Sequence, residues 1–216
     1  MGALTIIPPS ELFIPFLVAG IALNLTPGSD MTFVALCSAR GGRNAGLAAA
    51  GGIFLGCLAH IFFAVVGLSA LIAASQTAFG VLKWLGVAYL LYMAMQLLRE
   101  GNSSTGKSDN STIFGPTNAF RKAALINLLN PKVGIFFLAF LPQFVQPEIP
   151  FSWVQILALG MVFNTTGAIV NGLVAVFSSA AANKVAANQG LRRVARWVSA
   201  TIIGGLATKL ALSRNE

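Results

Sequence analysis

The chain reads as an all-α integral membrane protein, one domain over residues 1–216 with six transmembrane helices in two inverted halves of three. Three observations predict this. First, 56% of residues are hydrophobic and 9% charged, with a mean hydropathy of +0.79; a soluble domain carries roughly 25% charged residues. Second, apolar runs recur at about 12–37, 46–73, 78–98, 123–145, 152–178 and 197–213. Each approaches the roughly 20 residues that cross a bilayer, the last being the shortest. Third, the basic residues crowd into alternate connections, as a multi-pass topology demands.

The first span is interrupted by Asn24-Leu25-Thr26-Pro27-Gly28-Ser29-Asp30. Pro27 removes a backbone donor and Gly28 adds freedom, so the helix breaks there. The loop after it holds Arg40 and Arg43. The second span carries Ala48, Gly52, Gly56 and His60 at four-residue spacing on one face. Such a stripe of small residues permits close helix approach. The third span ends before a polar stretch, about 101–118, that reads as a flexible cytoplasmic linker between halves 1–100 and 119–216. The fourth span repeats the interruption as Asn127-Leu128-Leu129-Asn130-Pro131-Lys132. The fifth places Asn164, Gly167 and Asn171 on one face. The first span is entered from one side and the fourth from the other, so the halves are inverted, a recurring plan of transporters.

The net charge of +8 is distributed by topology. Lys107, Arg121, Lys122, Arg192, Arg193 and Arg196 join Arg40 and Arg43 in the connections read as cytoplasmic, and both termini then lie outside. Lys209 and Arg214 at the outer end of the sixth span run against that orientation. Basic and aromatic residues do not alternate, which sets nucleic acid aside. Cys37 and Cys57 lie in or near spans and suggest no disulfide framework. His60 is the sole histidine and has no acidic cluster, so a metal site is not expected, nor is a cofactor. No hydrolase, zincin or cysteine–histidine motif appears, so the chain is not read as an enzyme.

Asp30 lies ten residues before Arg40, and Lys132 ten after Lys122. At 1.5 Å per residue each sits about 15 Å from the cytoplasmic face, near the centre of a core about 30 Å thick. Charges at that depth are kept mainly where they line a cavity or bind a ligand. One reading pairs Asp30 with Lys132 in the empty protein, the pair exchanging partners with a zwitterion or a proton. The others are a purely structural ion pair, or a Lys132 that snorkels to the inner surface. The candidate substrate- and proton-binding residues are therefore Asn24, Pro27, Gly28, Asp30, Asn127, Asn130, Pro131 and Lys132. His60, Asn164 and Asn171 are candidates for a proton relay or a polar path, with packing or helix-gluing roles as the alternatives.

Taken together these elements resemble the LysE/RhtB family of bacterial amino-acid exporters. The resemblance rests on Pro27-Gly28-Ser29-Asp30, on Ser38 to Leu47 with its Gly/Arg-rich turn, and on Gly52-Ile53-Phe54-Leu55-Gly56. It continues through Gly86 to Tyr92, Asn127 to Lys132, and Phe140-Leu141-Pro142-Gln143-Phe144. Ser29 stands where the family usually has a second proline, which softens the first break. The resemblance implies a secondary exporter of amino acids or close derivatives from the cytoplasm, exchanging them for protons across a bacterial inner membrane. It implies no cofactor, a small-molecule substrate, and a lipid setting; the small size adds the expectation of a homodimer. A passive channel for small polar solutes is the alternative reading of the same polar residues.

Overall fold

The computed structural model describes residues 7–74, 115–146 and 151–187 without interruption, with single positions between 81 and 95 and between 190 and 208. The expected third and sixth spans fall largely outside the described residues, as does most of the 101–118 linker. Among the described residues every regular element is helical.

Helix α1, Ser10–Leu25, stops where Thr26 turns extended (φ −67°, ψ 119°). The cause is local: a residue before proline is pushed out of the α region. Helix α2 runs Ser29–Ala74, but at Gly42 the backbone leaves the helix (φ 76°, ψ 174°), a conformation open chiefly to glycine. The chain doubles back there. Ser38 and Gly46, eight residues apart, would stand about 12 Å apart on a straight helix, yet a Cβ on Gly46 would lie 2.6 Å from the Ser38 Cβ. The two limbs of α2 are thus the C-terminal part of the first expected span and the whole of the second.

Helix α3, Pro116–Leu128, opens with proline at its first turn, where the missing N–H costs nothing. It ends because Asn130, extended before Pro131, cannot stay helical. Asn130 then caps α4, Pro131–Ile135, its side chain accepting from the Lys132 amide at 3.0 Å. The chain continues as a π-helical turn, Phe136–Phe140, and a 3-10 turn, Leu141–Phe144. The axis bends by 46° between Pro116–Leu128 and Pro131–Phe144, so the fourth span is broken as expected. Helix α5 is Ser152–Ala187.

The glycine stripe sets the packing of α2 on α3. A Cβ on Gly56 would lie 2.7 Å from the Ala124 carbonyl oxygen and 2.8 Å from the Asn127 Cβ. Only glycine lets the backbones meet this closely. Two cores result, one on each side of the breaks. Phe16, Phe136, Phe137, Phe140, Phe144 and Phe163 form an aromatic layer on the α1 side, with Phe136 and Phe163 stacked at 4.2 Å. The other core is built of small residues, including Ala45, Ala49, Ala119, Ala123 and Ala175. Large apolar side chains such as Phe62, Leu129, Ile169 and Phe177 stand more than half exposed. Such a surface suits a lipid solvent and would be a liability in water.

Candidate functional site

Each proline denies one carbonyl its regular helical donor. In a continuous helix the Leu23 carbonyl would accept from residue 27 and the Asn127 carbonyl from residue 131, but both are prolines with no N–H. Each keeps a tighter backbone bond, from Thr26 N at 3.2 Å and from Asn130 N at 2.9 Å. Each also receives a side chain from elsewhere. Lys132 Nζ donates to Leu23 O at 3.2 Å and to Thr26 O at 3.3 Å. His60 Nε2 donates to Asn127 O at 3.0 Å. A neutral imidazole protonated at Nε2 suffices for this bond. His60 also stacks on Phe137 at 6.1 Å.

Asp30 occupies the first turn of the α2 helix and is 9% exposed. Its carboxylate accepts from Asn127 Nδ2 at 2.8 Å and from Asn130 Nδ2 at 2.9 Å, both from the opposite break. Ser29 Oγ adds a longer bond at 3.3 Å and itself accepts from Asn130 at 3.1 Å. A helix N-terminus favours the negative charge further. Among the described residues no ion pair joins Asp30 to Lys132. The expectation of a direct pair is corrected: amides hold the carboxylate, and main-chain carbonyls hold the ammonium. Nor does the Lys132 side chain reach away from the breaks, since its ammonium is held by Leu23 O and Thr26 O.

These groups line a cavity of about 30 Å³. Asn24, Thr26, Asp30, Asn127 and Lys132 form its polar side, and Asn164 and Asn171 of α5 face them. Phe54, Cys57 and Phe163 are among its apolar walls. Room of this order suits a few waters. Asn127 is 2% exposed, and its Oδ1 is buried without a partner among the described residues. The cavity therefore presents a carboxylate held by two amides and an ammonium with one of its three hydrogens uncommitted, while the orphan Oδ1 of Asn127 is packed toward Gly56.

Six of the residues singled out from sequence meet at this cavity: Asn24, Asp30, Asn127, Lys132, Asn164 and Asn171. Asn130 stands behind Asp30 as a donor. Pro27 and Pro131 shape the breaks, and Gly28 leaves space for the ammonium, since a Cβ there would lie 3.3 Å from Lys132 Nζ. His60 sits outside the lining, on the far side of the second break. Thr166, not singled out, accepts from Asn24 Nδ2 at 3.0 Å, and Asn24 also donates to Phe163 O at 3.1 Å. Asn164 donates to Phe54 O at 3.2 Å. Ser38, likewise missed, donates to Ala175 O at 2.6 Å. Phe163 carried no signal in the sequence beyond apolarity, and Phe54 and Cys57 none that placed them at a site.

Broken helices that face each other across a buried polar cavity, inside a bundle with an apolar exterior, define a membrane transport protein. The family-level comparison agrees: a model of the LysE type translocator family matches residues 21–214, and the chain belongs to that family. It is a translocator and not an enzyme. It is 26% identical over 196 residues to a leucine efflux protein of Salmonella typhimurium, covering 91% of this chain and 92% of that one. An uncharacterized membrane protein of Vibrio cholerae is 33% identical over 160 residues, 74% of this chain and 77% of the other. One from Pseudomonas aeruginosa is 31% identical over 164 residues, with 73% and 74% covered. No solved structure matches the chain.

Proposed function

We propose that the protein exports an amino acid from the cytoplasm across the bacterial inner membrane, in exchange for protons. One observation carries the reading: Asp30 and Lys132, from opposite breaks, line one buried cavity without neutralising each other directly. A zwitterion fits that arrangement. Its carboxylate would take the free hydrogen of Lys132, and its ammonium would approach the Asp30 carboxylate. The apolar walls at Phe54, Cys57 and Phe163 suit an aliphatic side chain, and the leucine efflux protein among the relatives supports the same choice.

Asp30 is the proposed proton carrier. A proton added there would turn one acceptor oxygen into a donor. Asn127 could then rotate its amide and offer Oδ1, which has no partner to lose. Asn164 and Asn171 would extend the polar path, and His60 would hold the second break in place of relaying protons. The cavity is too tight for an amino acid such as leucine, and the aromatic layer of Phe16, Phe136 and Phe140 closes the α1 side. Both features favour alternating access over a passive pore. With basic loops inside, the aromatic layer faces outward. Inverted halves of three spans, termini outside, and a homodimer complete the proposal.

The test is efflux from dipeptide-loaded cells, with every amino acid in the medium quantified by mass spectrometry, with and without a protonophore. Rapid, protonophore-sensitive release of one or a few amino acids by wild type, and not by Asp30→Asn, is the expected result. Unsaturable release indifferent to the protonophore would replace the exporter with a pore.

A further inference from the structure

The ammonium of Lys132 occupies a position with the character of a monovalent-cation site. Pro27 strips Leu23 O of its helical donor, and Thr26 O stands beside it at the same break. Both oxygens point at one nitrogen, at 3.2 and 3.3 Å. They close the C-terminal end of α1, where helix carbonyls sum to about half a negative charge. No basic residue of α1 answers that charge in its last turn. Asp30 adds a negative group on the same cavity. Glycine at position 28 keeps the slot open, with its Cβ direction aimed at the ammonium. Carbonyls at a half-helix end, in an unwound stretch of a membrane helix, are the groups with which transporters bind small cations. Here the cation arrives on a side chain from the other break, 109 residues away.

We propose that Lys132 is a tethered cation filling a carbonyl-built site at the end of α1, and that removing its side chain leaves a vacancy for a small free monovalent cation. The best fit is a primary alkylammonium, because N–H···O bonds suit the observed spacing. Sodium would need the two carbonyls to close in. The wild type needs no free cation at this place, so sodium should be dispensable to it.

The experiment uses purified full-length wild type, Lys132→Ala and Lys132→Gln. Thermal unfolding is followed in choline, sodium and methylammonium chloride at equal ionic strength. Lys132→Ala should melt below wild type in choline and recover saturably with methylammonium, or less strongly with sodium. Wild type should melt alike in all three salts. Lys132→Gln keeps a donor without the charge and should stay below wild type in choline. No recovery of Lys132→Ala in either small cation, or wild-type melting of Lys132→Gln, would overturn the proposal. Leucine exchange in proteoliposomes is the second arm and rests on the export reading above. Lys132→Ala should lose about tenfold or more, the scale of a lost charge-assisted hydrogen bond, and regain activity with methylammonium. Sodium-dependent exchange by wild type would also overturn it. The melting arm needs no substrate, so a wrong substrate would silence the exchange assay alone.

Discussion

At the scale of single residues, the site is governed by which polar atoms are satisfied. Asp30 accepts from two asparagine amides, so Asp30→Asn sets amide against amide at one of its oxygens. Rotation of Asn127 relieves this, because its Oδ1 is free to receive the new N–H. Asp30→Asn should therefore reach the membrane at wild-type levels and unfold within about 1 kcal/mol of wild type, one ordinary hydrogen bond. Its proton-driven efflux should be lost; normal efflux would remove Asp30 as the carrier. His60 makes a different kind of bond, to a carbonyl that no other described residue outside its own turn reaches. His60→Ala should cost about 0.5–1.5 kcal/mol, one net hydrogen bond, since the carbonyl keeps its bond from Asn130 N. His60→Gln, which keeps a donor, should recover part of the loss and retain coupled transport. Loss of coupling at unchanged stability in His60→Gln would instead make the imidazole a relay.

At the scale of elements, the breaks and the stripe decide how the helices meet. Restoring an amide at the second break, by Pro131→Ala, gives the Asn127 carbonyl a backbone donor again and should lessen the 46° bend. His60→Ala should then cost much less in the Pro131→Ala background than alone, a non-additivity read by a double-mutant cycle of unfolding. Additive losses would mean that His60 matters through its stacking on Phe137. On the α2 stripe, Gly56→Ala must push against the Ala124 carbonyl and should destabilise by about 1–3 kcal/mol. Gly67→Ala, where nothing lies within 4 Å, should be neutral or slightly stabilising. The breaks and the stripe are both legible in the amino-acid sequence, because proline's missing N–H and glycine's missing Cβ are covalent facts that act locally. The hairpin at Gly42 is readable as a short loop between basic residues. The π-helical turn of Phe136–Phe140 is not, since nothing in Phe-Phe-Leu-Ala-Phe differs from an ordinary apolar helix.

At the scale of the whole molecule, a cavity of about 30 Å³ beside an aromatic layer must widen for an amino acid to pass. Cys57 lines the cavity and is 3% exposed, while Cys37 is fully buried in the other core. In a Cys37→Ser background, Cys57 should react slowly with a membrane-impermeant thiol reagent at rest. Added substrate should accelerate that labelling, read by mass spectrometry. Fast labelling without substrate would indicate a cavity standing open. Truncating the layer by Phe136→Ala should raise resting reactivity as well, since Phe136 packs on Phe16, Phe140 and Phe163 at once.

The membrane setting follows from composition alone, because burying so many apolar residues against water would need a core this short chain cannot enclose. The break positions follow from Pro27 and Pro131, each of which pushes the residue before it out of the helix. All of these are local or additive properties, so a linear reading captures them. The repair of the breaks is of another kind. Lys132 reaches Leu23 across 109 residues and His60 reaches Asn127 across 67. Those pairings, and the turning of Asp30 toward two asparagines in preference to Lys132, depend on how the helices cross. Distances of a few ångströms between remote residues are set by packing, and no one-dimensional pattern encodes them.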